Sequence, residues 1–167
     1  MPNYCENKLT VTGSEQTIAK MKKKVSTKKC GLVFEKILPC PAVLIKSESP
    51  FRGTEEESKL LIKKYGFDNW YDWCVSNWGT KWSIDYQDNP AQWCGNEITF
   101  DTAWSPPEGI IMQLSKMFPT LTFLLEYDEP GMAFKGEFTY KAGENEFSQY
   151  EEAISNSRKQ ITIRCKR

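Results

Sequence analysis

The side chains that could do chemistry in this sequence are carboxylates, thiols and amines, because the chain of 167 residues contains no histidine. The absence of histidine excludes every histidine-based catalytic triad, most zinc and non-haem iron sites, and the commonest general base. A catalyst in this chain would therefore need paired acids, a reactive cysteine, or a lysine such as Lys81.

The acids best placed for catalysis follow predicted strands and could approach one another there. They are Asp101, Glu126, Asp128 and Glu129. Paired carboxylates can separate their pKa values or bind a cation. Acids at strand ends are more often solvated turn residues, and we favour that interpretation. No G-x-x-x-x-G-K-[ST] phosphate loop occurs. The sequence thus indicates no catalytic residue, no metal site and no cofactor, and it favours a protein that is not an enzyme.

The six cysteines are irregularly spaced and include no C-x-x-C pair. They are Cys5, Cys30, Cys40, Cys74, Cys94 and Cys165. An even number allows a disulfide framework, but the N-terminus has no basic and apolar export signal. We therefore expect free thiols, mostly buried, in a protein of the cytoplasm.

Two tryptophan-rich runs hold most of the unusual residues of the chain. The first is Asn77-Trp78-Gly79-Thr80-Lys81-Trp82, and the second is Thr102-Ala103-Trp104-Ser105-Pro106-Pro107. Tryptophan is enriched at the energetic centres of protein interfaces. A tryptophan-lined second core is the other interpretation, which we favour slightly, and the two can coexist. The candidate protein-binding residues are Trp78, Lys81, Trp82 and Trp104, with Trp93 beside them.

Charge and hydropathy argue against two kinds of partner. The chain carries 22 basic and 22 acidic residues, so its formal net charge is zero. This balance argues against a strong nucleic-acid binder and against an acidic mimic of DNA. No stretch approaches 18 consecutive apolar residues, so neither a membrane span nor a membrane partner is expected.

Alternation of apolar and polar residues predicts the strands. The predicted segments are 8–12, 82–86, 97–101, 121–127 and 132–140, with a last short strand near 161–165. The segment 82–86 is expected to pair with residues 98–100. The polar stretch 141–158 is expected to contain a short helix near residues 149–152.

Capping residues predict the helices. One helix is expected after Ser14 and another after Ser105, where Glu108 completes a capping box. Residues 38–78 are expected to form a helical insertion, in which Thr54 and Glu57 supply a second capping box.

The order of these elements predicts an α+β fold, namely a ferredoxin-like antiparallel sheet with helices on one face and a helical insertion. Residues 1–140 would form this domain, with the insertion at about residues 38–78. Residues 141–167 would form a C-terminal extension packed on or beside the domain.

Several motifs resemble the YubB-like family, whose members are encoded by plasmids, phages and other mobile elements. The motifs that carry the resemblance are Asn3-Tyr4-Cys5-Glu6-Asn7, Asn77-Trp78-Gly79-Thr80-Lys81-Trp82, Thr102-Ala103-Trp104-Ser105-Pro106-Pro107, and Glu129 with Gly131. The family usually has tryptophan where this chain has Tyr4. The resemblance covers about residues 1–140. It implies a ferredoxin-like domain and a mobile-element setting, and it supplies no catalytic residue.

These observations together predict a non-enzymatic accessory protein of a mobile element, which binds a host protein in counter-defence or host takeover. The alternative is a ferredoxin-like module that binds single-stranded nucleic acid by stacking bases on Phe134, Phe138 and Tyr140. We favour a different interpretation of this aromatic row, in which the rings face the helices and form part of the core.

Overall fold

The computed structural model describes residues 3–84, 91–154 and 157–163 of the chain. The strands are β1 (Tyr4–Thr12), β2 (Glu97–Ala103), β3 (Thr122–Glu129), β4 (Phe134–Lys141), β5 (Glu144–Ile154) and β6 (Ser157–Ile163). The helices are α1 (Glu15–Val25), α2 (Ala42–Ile45), α3 (Glu55–Tyr65), α4 (Trp70–Trp78) and α5 (Glu108–Met117), and a 3-10 turn spans Phe34–Lys36.

The strands of the described part form a single antiparallel sheet in the order β2-β1-β3-β4-β5-β6. The first strand lies between β2 and β3, so the β2–α5–β3 connection crosses over β1. Because β2 and β3 are both antiparallel to β1, they run in the same direction, which is the geometry of a split β-α-β unit. The antiparallel α+β architecture predicted from the sequence is confirmed.

One face of the sheet carries the core. Side chains of β1 and β3 such as Leu9 and Phe123 are buried against α1 and α5, which contribute Met21 and Leu114. Burial of each such side chain stabilises the fold by about 1.5–3 kcal/mol. The other face is polar and carries charged side chains such as Glu126. The two faces therefore differ as the alternation in the sequence predicts.

The insertion between α1 and β2 contributes α2, α3 and α4. Helix α4 packs on the core through Trp73, Cys74 and Trp78. The predicted capping box of α3 is present, because Thr54 Oγ1 accepts from the Glu57 N–H and the Glu57 carboxylate accepts from the Thr54 N–H. None of the residues of α3 is fully buried.

The capping box predicted at Ser105 and Glu108 is wrong. Helix α5 begins at Glu108, and Pro107 precedes it without a side-chain cap. The Ser105 hydroxyl donates instead to the carbonyl oxygen of Gly79 at 2.5 Å. The Glu108 carboxylate accepts from the Tyr140 hydroxyl at 2.8 Å. Both side chains form long-range bonds, which local spacing cannot reveal.

The strand predicted at residues 82–86 is not formed at residues 82–84, and the remainder of that segment lies outside the described residues. The expected partner, residues 98–100, belongs to β2 and pairs with β1. Ser83 is buried, and its hydroxyl accepts from the Phe34 N–H at 3.3 Å. The next residue, Ile84, is also buried and belongs to the core.

The short helix predicted near residues 149–152 is also wrong, because these residues belong to β5. The backbone N–H and C=O groups of this polar stretch form hydrogen bonds to β4 on one side and to β6 on the other. The predicted last strand is present as β6, and Cys165 lies outside the described residues. Among the described helices, none has the length and apolar character needed to cross a bilayer.

Candidate functional site

A buried asparagine joins β1 to β2 near the C-terminal end of β2, which Trp104 follows. Asn7 occupies an inward position of β1, between Cys5 and Leu9. Its amide nitrogen donates to the Cys5 carbonyl at 2.8 Å, to the Phe100 carbonyl at 3.2 Å, and to Thr102 Oγ1 at 2.8 Å. Because a buried amide without partners would be strongly destabilising, these bonds fix the register of β1 against β2.

The hydrogen bonds continue from β2 into both tryptophan-rich runs. The Thr102 hydroxyl donates to the Ser105 carbonyl at 2.8 Å, and the Ser105 hydroxyl donates to the Gly79 carbonyl at 2.5 Å. In the opposite direction, the Thr80 hydroxyl donates to the Ala103 carbonyl at 2.9 Å. Residues 79–80 and 102–105 therefore meet at one place, which we call the α4–β2 corner.

Two glycines allow α4 and α5 to meet backbone to backbone beside this corner. Gly79 ends α4 with a φ of 86°, and a Cβ there would lie 2.8 Å from the Pro106 carbonyl oxygen. A Cβ on Gly109 would lie 2.0 Å from the Asn77 carbonyl oxygen. Since real Cβ atoms do not approach so closely, no larger residue fits either position without movement of a helix.

Trp104 lies at the α4–β2 corner in a strained and exposed position. Its φ is 72°, a left-handed conformation that costs a residue other than glycine roughly 1–2 kcal/mol. Trp104 is 43% exposed. Its N–H donates to the Asn3 carbonyl at 3.0 Å. The surrounding hydrogen bonds therefore impose a conformation that presents an aromatic side chain to solvent.

Tyr4 adds a second exposed aromatic side chain beside Trp104. It is 46% exposed and pairs across the strands with Ala103, the residue before Trp104. This exposure was not predicted from the sequence. The available signal was its position at the outward phase of the alternating strand that contains Cys5 and Asn7.

Trp78, predicted to line the surface, is buried. It is 2% exposed, and its indole N–H donates to the Leu38 carbonyl at 2.8 Å. Its ring packs edge-on against Phe34 and Trp73, with centroids 5.8 Å apart in both pairs. Trp78 and Trp73 are therefore core residues, as the favoured interpretation predicted, but they belong to the main core and not to a second one. Trp78 cannot present its ring to a partner.

Lys81 and Trp82 are half-buried and lie next to each other. The Lys81 Nζ is 4.4 Å from the centroid of the Trp82 ring and 5.8 Å from that of Tyr71. Such contacts contribute about 0.5–1 kcal/mol at exposed sites. They hold the ammonium group between two partly accessible rings, where it can also donate hydrogen bonds to another molecule.

Trp93 is not brought together with Trp104, because the two residues flank opposite ends of β2. Strand β2 is seven residues long, so its two ends lie roughly 20 Å apart. The Trp93 indole N–H donates to the Gly31 carbonyl at 2.6 Å, and the Lys22 Nζ lies 5.2 Å from the ring centroid. The residues expected to form one surface therefore form separate groups.

The aromatic row proposed for base stacking faces the helices. Phe138 and Tyr140 are buried, and Phe134 is half-buried. Phe134 contacts Tyr127 and Tyr150, with ring centroids 6.2 Å and 6.0 Å away. The interpretation of this row as core is confirmed for Phe138 and Tyr140.

The predicted group of acids is divided between the two faces of the sheet. Asp101 and Asp128 both pair with Glu6 on the polar face, where Glu126 lies near them in a groove of about 610 Å³. Glu129 is buried on the other face, where its carboxylate accepts from the Met132 N–H. Across residues 3–84, 91–154 and 157–163, no three acidic or thiol side chains form a group that could hold a metal ion.

The described thiols are free, as predicted, and four of the five are buried. They are Cys5, Cys30, Cys40 and Cys74, with Cys94 exposed. Burial, reinforced by the Glu129 carboxylate, raises the pKa of Cys5 to about 12. Burial raises the pKa of Cys40 to about 11. Since the thiolate is the nucleophile, neither buried thiol is activated for catalysis at neutral pH.

Comparison with known proteins identifies relatives of the domain. A family model described as a ferredoxin-like domain in Api92-like protein matches residues 76–162, just over half of the chain. The crystal structure of a protein api92 from Yersinia pseudotuberculosis is similar, with a TM-score of 0.55 and 14% sequence identity. That match covers 89% of this chain and 97% of the other. No curated protein matches this chain. The ferredoxin-like fold is thus confirmed.

Proposed function

The chain belongs to the family of Api92-like proteins that carry this ferredoxin-like domain, and we propose that it is a non-enzymatic accessory protein that binds a host protein. The mobile-element setting is part of the proposal and rests on the resemblance of the motifs to YubB-like proteins. Counter-defence or host takeover is the role that we propose for the complex.

The observation that carries the proposal is the conformation of Trp104. A residue in a strained left-handed conformation persists only where its surroundings impose it, and such residues are concentrated at functional sites. Asn3, Thr102 and Ser105 supply the hydrogen bonds that hold this turn. A large apolar ring held exposed in this way is well suited to be buried by a partner.

Tyr4 enlarges the proposed surface, and Lys81 with Trp82 provides a second contact region. Trp, Tyr and Arg are the residues most enriched among interface hot spots, where a truncation costs 2 kcal/mol or more. Because the corner is already fixed by hydrogen bonds, little conformational freedom would be lost at Trp104 on binding. The proposed binding residues are therefore Tyr4 and Trp104, with Lys81 and Trp82 as further contacts and Trp93 as a separate candidate.

The decisive experiment compares Trp104→Ala and Trp104→Gly with the wild-type protein. Each tagged protein is used to capture partners from host lysate, and the captured protein is then purified and titrated against each variant. We expect both variants to weaken the binary complex by roughly thirtyfold or more, the equivalent of about 2 kcal/mol. Lys81→Ala is expected to weaken it less.

Met132→Ala serves as the matched control, because Met132 is also exposed and apolar but belongs to the β3–β4 turn. Circular dichroism and urea unfolding establish that each variant is folded. A partner that binds folded Trp104→Gly as tightly as the wild type would refute the assignment of Trp104. Failure to capture any host protein that survives purification would refute the proposed function.

Binding of single-stranded nucleic acid is the second candidate, and the charge of the sheet counts against it. The acids of the polar face outnumber its bases, and the excess negative charge repels phosphate. The acids include Glu6, Asp101, Glu126, Asp128 and Glu137, and the bases include Lys8, Lys135 and Lys141. Titration with labelled oligonucleotides at low salt discriminates the two candidates. A dissociation constant below about 10⁻⁶ M that rises steeply with salt would favour nucleic acid.

A further inference from the structure

Helix α3 is amphipathic in sequence, yet it buries no residue in the described part of the molecule. Leu60 is 67% exposed, and Ile62 is also exposed. Leu61 and Tyr65 are half-buried and pack against the core, so the uncovered apolar side of α3 is the one that carries Leu60. A soluble helix normally covers its apolar stripe, and an uncovered stripe next to other exposed apolar residues indicates an interaction surface.

One stripe of α3 forms the wall of an apolar groove. Glu57, Leu60 and Leu61 line this groove, and Val43 and Phe51 lie across from them. The groove has a volume of about 460 Å³. Exposed apolar side chains thus lie on both walls of a depression, which can receive a side chain from another molecule.

The two charged residues of this stripe have opposite signs and lie at equal distances from its centre. Residues three and four apart share a helix face, so Glu57, Leu60, Leu61 and Lys64 form one continuous stripe. An acid begins the stripe, a base ends it, and two leucines lie between them. If two copies of α3 pack antiparallel, Glu57 of each copy faces Lys64 of the other, and Leu60 faces Leu61.

We propose that the α3 groove binds a second copy of this chain in an isologous, two-fold interface that pairs the α3 helices antiparallel. The stripe is complementary in charge to itself, and this property selects a second copy of the chain as the occupant. The helices must pair antiparallel, because a parallel pairing would place like charges opposite each other. A two-fold interface requires one surface that is complementary to itself, and this stripe meets that requirement. The inference is independent of the proposed binding of a host protein.

The two charged residues of the stripe are exposed, and each keeps a part of its side chain available for the proposed contacts. The Glu57 Oε2 accepts from the N–H and hydroxyl of Thr54, which leaves Oε1 outside these two bonds. The Lys64 Nζ lies 5.0 Å from the centroid of the Tyr65 ring and near the surface. An interface built on short helices buries about 1,200 Å² or less, which is typical of transient complexes. The dimer should therefore form at micromolar concentrations and above.

The test is sedimentation velocity of the intact chain over about 10 μM to 1 mM, a range that spans weak association. We expect a reversible monomer–dimer equilibrium at low salt. Lys64→Glu and Glu57→Lys should each weaken the dimer about tenfold, because each places like charges opposite one another twice in the symmetric interface. Leu60→Ser should weaken it by a similar factor through the loss of the central contact.

A mixture of the Lys64→Glu and Glu57→Lys chains provides the sharpest outcome. In the mixed dimer the antiparallel arrangement restores opposite charges at both ends, so association should recover to near the wild-type level. Recovery would not occur if the chains bound through a different surface. The single variants distinguish the orientations, because a parallel pairing already places like charges opposite one another and neither variant would weaken it.

Lys59→Glu is the matched control, since it makes the same charge change on the opposite side of α3, where Lys59 pairs with Glu55 at 2.6 Å. It should leave the dimer unchanged. Circular dichroism shows whether Glu57→Lys, which removes the capping carboxylate, keeps α3 folded. A monomer at every concentration, or a dimer unaffected by the stripe variants, would overturn the proposal.

Discussion

Gly109 in α5 lies so close to Asn77 in α4 that a Cβ on the glycine would be 2.0 Å from the asparagine carbonyl oxygen. The oxygen belongs to the backbone, so it cannot move aside as the end of a flexible side chain could. The contact explains why the second tryptophan-rich run is followed by a glycine inside a helix. It also joins the insertion to the helix that crosses the sheet.

Gly109→Ala is expected to destabilise the protein by about 1–3 kcal/mol, although alanine normally favours a helix. Gly66→Ala is the comparison, because its Cβ would have nothing within 4 Å and only the φ of 82° opposes it. That variant should lose about 1 kcal/mol. Urea unfolding measures both changes, and a stabilised Gly109→Ala would contradict the observed contact.

Trp104→Gly should be more stable than Trp104→Ala by about 1 kcal/mol, because glycine adopts the φ of 72° without strain. Both substitutions remove the same ring, so their difference isolates the backbone conformation. The measurement is the free energy of unfolding in urea for the two variants. Equal stabilities would mean that Trp104 is not strained in solution.

The Asn7 and Thr102 side chains are expected to be energetically coupled, since their 2.8 Å hydrogen bond is buried. Asn7→Ala and Thr102→Ala should each destabilise by about 1–3 kcal/mol. The double variant should lose less than the sum, with a coupling energy of at least about 0.5 kcal/mol. A double-mutant cycle in urea measures the coupling, and strict additivity would exclude the bond. Lys8→Ala, at an outward position of β1, is the control.

Stability is expected to fall at alkaline pH because ionisation of Cys5 is disfavoured in the folded protein. Burial, with the Glu129 charge beside it, raises the Cys5 pKa from 9.0 to about 12. An acid with a raised pKa stabilises the fold below its ordinary pKa, and this contribution is lost as the pH rises from about 9 towards 12. Burial of Tyr127 acts in the same direction by raising its pKa to about 12.

Cys5→Ala should therefore flatten the alkaline decline between about pH 9 and pH 11, by roughly 1–3 kcal/mol at the upper end. Urea unfolding at several pH values provides the measurement. Cys94→Ala is the control, because Cys94 is exposed. An equally steep decline in both variants would show that the Cys5 thiol makes no contribution.

Local patterns in the sequence predicted the parts of the fold that depend on neighbouring residues. The alternation in β1 and β2 and the capping box of Thr54 and Glu57 are of this kind. Ser105 shows the limit, because it has the spacing of a helix cap but donates to Gly79, which is distant in sequence. A hydrogen bond of that kind depends on the completed fold.

The tryptophan residues show why the candidate site was only partly predictable. Trp78 and Trp104 have the same intrinsic preference for burial, and the sequence offers no reason to separate them. Their difference arises from the position of each in the fold, since Trp78 points from α4 into the core and Trp104 occupies a turn beyond the last residue of β2. The polar stretch of β5 was mistaken for a helix because strands near a sheet edge need not have an apolar face.

The position of β1 between β2 and β3 has a consequence for synthesis on the ribosome. Its partners are β2, which begins at Glu97, and β3, which ends at Glu129. At roughly 5–20 residues per second, the emerging chain waits on the order of 5–20 s before both neighbours of β1 exist. Until β2 has emerged, β1 has no partner in the sheet, and its second edge stays unpaired until β3 follows. Because both pairings of β1 join segments that are far apart in sequence, closure of the sheet around β1 should limit the folding rate.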